Sequence, residues 1–285
     1  MSNPRDSLRV ENDGLLCPEV GGWAETKYRL ISLYDELFAT GMKDKWDQRV
    51  YIDLYSGAGH SRIRHTEIRL KGSPILALGI PFTFDKYIFC EENVDCLSVL
   101  KLRANRVAPS ADISYIPGSC DEKVEEICRA IPRGSKENRV LSLCLVDPFD
   151  FGMKFATMRK LSQFFIGFLV LLAVGMDAVR AYDHYVDGEN RKLDEALGNT
   201  EWRSRWKARP RGKYEFPSFL AGEFADSMSE LGFLPIKPGQ MKMVRSDEKN
   251  LPLYYLALFS KNNTAYRFWD EVLKYHTDQS SFDWE

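Results

Sequence analysis

The sequence predicts an α/β fold in which a mostly parallel, seven-stranded sheet carries helices on both faces. Short apolar runs, typical of strands buried on both sides, alternate with segments of helical periodicity. Repeated β-then-α units favour parallel strands joined by right-handed crossovers. Ligands of such sheets bind beyond the carboxyl ends of the strands, where four polar motifs of this sequence fall. The predicted site therefore lies along one edge of the sheet.

The elements follow one another with short connections. Predicted strands cover 50–55, 87–90, 113–116, 140–146, 165–174, 242–245 and 253–260. Predicted helices cover 23–38, 75–78, 94–106, 122–131, 155–164, 213–232 and 264–275. Ser73 is placed to cap the second helix, with Pro74 at its first position. We expect an N-terminal segment (1–22), one domain (23–275) with a helical insertion at about 176–213, and a frayed tail (276–285).

Composition excludes several classes of protein. The chain has 285 residues, 44% hydrophobic and 28% charged, as expected for a soluble globular domain. A formal net charge of −2 gives no global attraction to polyanions. The six cysteines form no C-x-x-C pair, so buried thiols are expected rather than a metal site. The longest apolar run, 164–174, is too short to span a bilayer, and the polar start has no signal peptide. A cytoplasmic location is expected.

The sharpest local motif runs from Asp53 through Tyr55, Ser56 and Gly57 to Gly59. Two glycines after a buried strand let the backbone turn tightly and approach a ligand closely. The lone Asp53 within an apolar strand requires hydrogen-bond donors, and a ligand ammonium is one such donor. The alternative is a plain strand-to-helix turn whose Asp is bonded to backbone amides. The motif is neither G-x-G-x-x-G nor a P-loop.

This loop resembles motif I of the class I, Rossmann-like methyltransferases. The resemblance implies S-adenosylmethionine as cofactor, with Gly57 and Gly59 lining its methionine part and Asp53 facing its ammonium. Tyr55 and Ser56 belong to the same implied cofactor-binding loop. Ser56 stands where the family usually has alanine.

Two further strand ends carry candidate cofactor contacts. A carboxylate at Glu91 can accept both ribose hydroxyls, the logic of the acid on the second strand of dinucleotide folds. The alternative is a pair of solvent-exposed acids, Glu91 and Glu92, at a helix N-terminus. After the third strand comes Gly118-Ser119, and Ser119 stands where methyltransferases often have an acid on the adenine amine.

The fourth motif is Asp147-Pro148-Phe149. Proline stiffens the turn, which holds Asp147 and Phe149 where an acceptor amine or hydroxyl can lie beside the methyl donor. Asp147 is the candidate to orient the acceptor or take its proton, and it also borders the cofactor. The alternative is a turn in which Asp147 caps a helix. The motif is similar to the D-P-P-Y of amino-methyltransferases but lacks the second proline.

A longer series of motifs, spanning roughly residues 19–274, resembles the three-Cys-motif partner family. The series is Trp23 with Lys27, Asp147-Pro148-Phe149, Gly175 to Arg180, Leu197-Gly198 with Trp202, Leu231-Gly232-Phe233, Leu253 to Leu256, and Trp269. The resemblance implies an S-adenosylmethionine-dependent methyltransferase acting on an unidentified acceptor. The alternative is a non-catalytic module of the same fold that binds nucleic acid or a radical-SAM-like partner protein.

A basic segment inside the predicted insertion is the candidate for such binding. It contains Arg203, Arg205, Lys207, Arg209, Arg211 and Lys213, with Trp206 among them. Basic side chains with aromatics can bind phosphates and stack bases. The alternative is a solvated face whose charges pair with acids such as Asp194, Glu195 and Glu201.

Overall fold

The computed structural model describes residues 8–175, 181–186, 190–208, 212–245 and 252–280, with side chains to residue 274. Every helix within these ranges is too short or too polar to cross a membrane.

The main sheet has seven strands and is mostly parallel, as predicted. The strands of the chain are β1 (Arg9–Val10), β2 (Glu19–Val20), β3 (Gln48–Asp53), β4 (His60–Ile63), β5 (Arg69–Lys71), β6 (Lys86–Glu91), β7 (Ile113–Pro117), β8 (Val140–Val146), β9 (Ile166–Leu172), β10 (Lys242–Arg245) and β11 (Pro252–Phe259). The main sheet has the order β10-β11-β9-β8-β3-β6-β7. Strand β3 is parallel to β6 and β8, and β6 is parallel to β7. Strand β11 is antiparallel to β9 and to β10.

Ten α-helices lie within the described ranges. They are α1 (Ala24–Met42), α2 (Ser73–Leu78), α3 (Val94–Val107), α4 (Cys120–Ala130), α5 (Phe155–Leu161), α6 (Tyr182–Val186), α7 (Lys192–Leu197), α8 (Trp202–Lys207), α9 (Phe216–Glu230) and α10 (Asn263–Ser280). Most bounds differ from the predicted ones by a few residues, the usual uncertainty at helix ends. Helices α6 to α8 lie within residues 176–213, the segment predicted to be a helical insertion.

The chain divides into two compact units. The first contains residues 1–145 and 264–285, and the second contains residues 146–263. In the first unit, the last four residues of β3 are buried, as expected for a strand covered on both faces. In the second unit, all seven residues of β9 are buried.

A second, four-stranded sheet in the first unit was not predicted. Its order is β1-β5-β4-β2, so strands from the N-terminal segment flank a hairpin that follows the glycine loop. Strands β1 and β2 have only two residues each, too few to show a period of two in the sequence. Their partners lie some forty or more residues further along the chain, which local patterns do not reveal.

The predicted cap at Ser73 is wrong. The N-cap of α2 is Gly72, with extended backbone and no side-chain cap. The Ser73 hydroxyl instead donates a 2.6 Å hydrogen bond to Oδ2 of Asp53. Asp53 is completely buried, and a buried carboxylate requires hydrogen-bond donors. The Ser73 hydroxyl therefore bonds to Asp53 and does not cap the backbone at the start of α2.

Candidate functional site

The backbone of the glycine loop has the left-handed conformation that the two glycines allow. Gly57 has φ +60° and Gly59 has φ +82°. A side chain at either position would be strained, because the Cβ atom of an L-residue clashes with its own backbone there. A Cβ atom at Gly59 would also lie 3.0 Å from side-chain atoms of Ile75 and Leu100. A Cβ atom at Gly57 would meet nothing within 4 Å, so the space above Gly57 is open.

Hydrogen bonds fix this loop against the neighbouring strand β6. The Ser56 amide and hydroxyl both donate to the Cys90 carbonyl, at 3.0 and 3.1 Å. The Gly57 amide donates to Oε2 of Glu91 at 2.7 Å. The Gly59 carbonyl accepts from the Gly72 amide at 2.7 Å. The loop is therefore shaped before any ligand arrives.

Glu91 joins three of the predicted motifs. Its Oε1 accepts from the Asn93 amide at 2.9 Å, while its Oε2 holds Gly57. Its backbone carbonyl accepts from the Gly118 amide at 3.0 Å. Glu91 is partly exposed, whereas its neighbour Glu92 is exposed. Each carboxylate oxygen has a second lone pair, so the side chain can accept further hydrogen bonds from a ligand.

Asp53 lies beneath the loop. It is 0% exposed, and its Oδ1 accepts from the Tyr55 amide at 3.1 Å while its Oδ2 accepts from Ser73. These contacts match the alternative in which the aspartate holds the turn. The predicted contact with a ligand ammonium stays a prediction.

Tyr55 and Ser119 lie where the loop meets the start of α4. Ser119 is the N-cap residue of α4 and is partly exposed, as is Tyr55. Burial raises the pKa of the adjacent Cys120 thiol to about 11, although a hydrogen bond with Tyr55 opposes the shift. Burial likewise raises the pKa of the Cys90 and Cys144 thiols. Buried thiols were predicted for the six cysteines, and Cys90 and Cys144 are buried, whereas Cys17 and Cys128 are partly exposed. Neither Cys90 nor Cys144 has the thiolate character of a nucleophile.

In the second unit, the Asp147 loop is open to solvent. Asp147 is partly exposed and Pro148 is buried, while Phe149 is 95% exposed. Asp150 accepts a 2.7 Å hydrogen bond from Nζ of Lys192. The Phe149 ring therefore lies outside the core, and its predicted role beside the acceptor stays a prediction.

The basic segment is largely satisfied by its own unit. Arg203 forms an ion pair with Asp194, and Arg205 forms one with Glu223. Trp206 is 3% exposed, so its ring is not available to stack a base. These contacts support the alternative of internally paired charges. Arg209 and Arg211 lie outside the described residues, as do residues 176–180 of the family resemblance.

Sequence reasoning missed the contact of Ser73 with Asp53, and it missed Arg103 altogether. Arg103 is 2% exposed and donates from Nη1 to the Ala58 carbonyl at 2.7 Å, in the middle of the glycine loop. A signal was present, because Arg103 shares the spacing of the buried Leu97, Leu100 and Ala104 on α3. An arginine on the apolar face of a helix requires a buried partner.

No family model and no curated protein matches this chain. Solved structures of similar fold include S-adenosylmethionine-dependent methyltransferases. Trm1 from Pyrococcus horikoshii, solved with S-adenosyl-L-methionine, is 10% identical over 93% of this chain and 64% of its own length, with a TM-score of 0.47. A putative O-methyltransferase from Klebsiella pneumoniae is 11% identical over 87% and 84%, with a TM-score of 0.45. A Geobacter sulfurreducens methyltransferase, solved with S-adenosyl-L-homocysteine, is 12% identical over 74% and 66%, with a TM-score of 0.36.

Proposed function

We propose that this protein is an S-adenosylmethionine-dependent methyltransferase. The observation that carries the proposal is the contact between Glu91 and the Gly57 amide, 2.7 Å long, at the ends of two adjacent parallel strands. It joins a left-handed glycine turn to a carboxylate that can bind a diol, the two elements a nucleoside-bearing ligand requires. Both also match the motif resemblance of the sequence.

The residues present fit the cofactor. The open space above Gly57 admits a ligand against the backbone, and Glu91 retains lone pairs for the ribose hydroxyls. Ser119 presents a hydroxyl beside the third strand end. Asp53 holds the turn from below through the Tyr55 amide. When bound, S-adenosylmethionine supplies a methyl group whose bond to sulfur breaks, leaving a neutral thioether, as an acceptor lone pair bonds to the methyl carbon.

Asp147 and Phe149 are the proposed acceptor residues. Asp147 accepts the proton that the acceptor amine or hydroxyl loses, and Phe149 offers an exposed apolar face on which the acceptor rests. The buried Pro148 between them stiffens the turn, so both side chains keep their positions. Positioning of this kind supplies a large part of the rate in bimolecular transfers.

Membership of the three-Cys-motif partner family is the finer part of the proposal. It rests on the ordered motifs of the sequence, of which Leu197-Gly198 and Leu231-Gly232 end helices α7 and α9 in the structure. The proposal of a radical-SAM-like partner protein depends on that membership alone.

Calorimetry with S-adenosylmethionine and S-adenosylhomocysteine tests the proposal. We expect wild type to bind both, and Gly57→Arg to lose binding by more than about 100-fold, because the side chain enters the open space above the loop. Gly232→Arg is the matched control. Gly232 has φ +85° and the same open surroundings, so it carries the same strain far from the glycine loop in sequence. The proposal fails if wild type binds neither compound, or if the Gly57 and Gly232 variants bind equally well.

A further inference from the structure

We propose that Asp13 and Arg103 form a clamp that positions the glycine loop for its ligand, which makes the N-terminal segment part of the cofactor site. The clamp is defined as the Asp13 carboxylate, the Arg103 guanidinium and the carbonyls of Leu16 and Ala58. The identity of the ligand rests on the proposed function, whereas the effect on the loop does not.

The guanidinium of Arg103 makes four hydrogen bonds within the first unit. Nε and Nη2 donate to the two oxygens of Asp13, each at 2.8 Å. Nη1 donates to the carbonyls of Leu16 at 2.9 Å and Ala58 at 2.7 Å. A bidentate arginine–carboxylate pair is both strong and geometrically specific. A buried cation without a paired anion is costly, so Asp13 is what keeps Arg103 in this position.

The contact with Ala58 sets the orientation of the loop. A trans peptide is planar, with its N–H directed opposite to its carbonyl. Fixing the Ala58 carbonyl toward Arg103 therefore directs the Gly59 N–H to the other side of the loop. The loop is thus held at three successive residues, by Glu91 at Gly57, by Arg103 at Ala58 and by Gly72 at Gly59.

The Asp13 carboxylate stays ionised across the neutral pH range. Its hydrogen bonds with Arg103 hold the pKa of Asp13 well below its usual value. His60 Nδ1 lies 3.7 Å from Oδ2 of Asp13, and burial together with the Arg103 charge lowers the pKa of His60 to about 4, so the ring is neutral. Arg106 Nη1 lies 3.8 Å from the same oxygen. Near pH 7.5, neither Asp13 nor His60 changes its protonation state, so differences between variants report the loss of the clamp.

The chain offers a matched control pair at the opposite end of β3. Arg49 Nε donates to Oδ2 of Asp85 at 3.1 Å, and Arg49 Nη1 donates to the Ala39 carbonyl at 2.9 Å. This pair also links an arginine, an aspartate and a backbone carbonyl, but at the amino end of the strand. Loss of either pair should lower stability, and only loss of the clamp should alter the glycine loop.

The experiment compares Asp13→Asn and Arg103→Lys with Asp85→Asn and Arg49→Lys. Protein labelled with 15N-glycine gives at most 19 amide signals, one for each glycine. Without ligand, we expect the Gly59 signal to shift or broaden in the two clamp variants and to stay in place in the controls. With S-adenosylmethionine, we expect the dissociation constant to rise about 10- to 100-fold in the clamp variants and less than twofold in the controls. Melting temperatures are measured for all four.

The outcomes separate the two proposals. An unchanged Gly59 signal in Asp13→Asn overturns the clamp, as does an equal loss of affinity in the clamp and control pairs. If wild type does not bind S-adenosylmethionine, the proposed function fails and the Gly59 signal still decides the clamp. If Arg103→Lys does not fold, Asp13→Asn carries the test, because it retains the guanidinium and removes only its counter-charge.

Discussion

The glycine loop and the Asp147 loop both follow strands of the main sheet, but they are built in opposite ways. In the glycine loop, the Ser56, Gly57 and Gly59 backbone groups are hydrogen bonded to residues of other elements. In the Asp147 loop, Phe149 is 95% exposed and Asp150 contacts Lys192 through an ion pair at the surface. One loop is fixed before binding, and the other presents the side chains of Phe149 and Asp150 to solvent.

The difference suits the proposed methyltransferase, whose cofactor is always the same. A fixed loop loses little conformational entropy when its ligand binds, so preorganisation favours affinity. The exposed Phe149 ring adds little to folding, and Asp147 and Phe149 are the residues proposed to contact the acceptor. Changes in the first loop should therefore alter cofactor affinity, whereas changes in the second should alter methyl transfer.

The largest expected effect is on transfer by Asp147→Asn. The amide keeps the shape of the side chain and cannot accept the acceptor proton, so transfer should fall by about 10²- to 10⁴-fold. Cofactor affinity should stay within about twofold of wild type. Transfer of a radiolabelled methyl group into a cell extract and calorimetry measure the two quantities. A variant with the full rate would show that Asp147 is not the catalytic residue.

Glu91→Ala should weaken cofactor binding by about 1–3 kcal/mol, because it removes both the ribose acceptor and the anchor of the Gly57 amide. Glu92→Ala is the control at the same strand end, since Glu92 is exposed. Titration calorimetry of both variants measures the difference. Equal affinities would contradict the assignment of Glu91 as the ribose ligand.

Ser73→Ala should lower the free energy of unfolding by about 1–3 kcal/mol, because the buried Asp53 loses a donor. Ser98→Ala is the control, since the exposed Ser98 hydroxyl donates only to its own helix, at Val94. Urea denaturation of the two variants gives the comparison. If Ser73→Ala is as stable as Ser98→Ala, the hydrogen bond from Ser73 to Asp53 does not support the glycine loop.

Phe149→Ser should change stability by less than about 0.5 kcal/mol, because an exposed side chain contributes little to the core. Its effect should appear in methyl transfer alone. Phe155→Ala, at a site 1% exposed in the same unit, should cost about 3–5 kcal/mol. A large loss of stability in Phe149→Ser would mean that the ring packs in solution, and the contrast between the two loops would disappear.

The sequence alone was sufficient to predict the strands of the main sheet and most of the helices. The strand predicted at 140–146 is β8 with the same bounds, because a continuous apolar run ends at Asp147-Pro148. The helix predicted at 94–106 is α3, which ends one residue later, at Val107. It was predictable because Asn93 caps its N-terminus and its apolar residues repeat at helical spacing. The meeting of Glu91 with the glycine loop was also foreseen, since parallel strands end at a common edge.

Tertiary structure alone decided what holds the glycine loop. Asp13 and Arg103 are 90 residues apart, and Ser73 is 20 residues from the Asp53 it serves. Sequence patterns report period, capping and turn chemistry over a few residues, so they placed Ser73 as a helix cap and left Arg103 unnoticed. A buried charge takes the donor or acceptor that the fold brings to it, and that choice is made among residues distant in the chain.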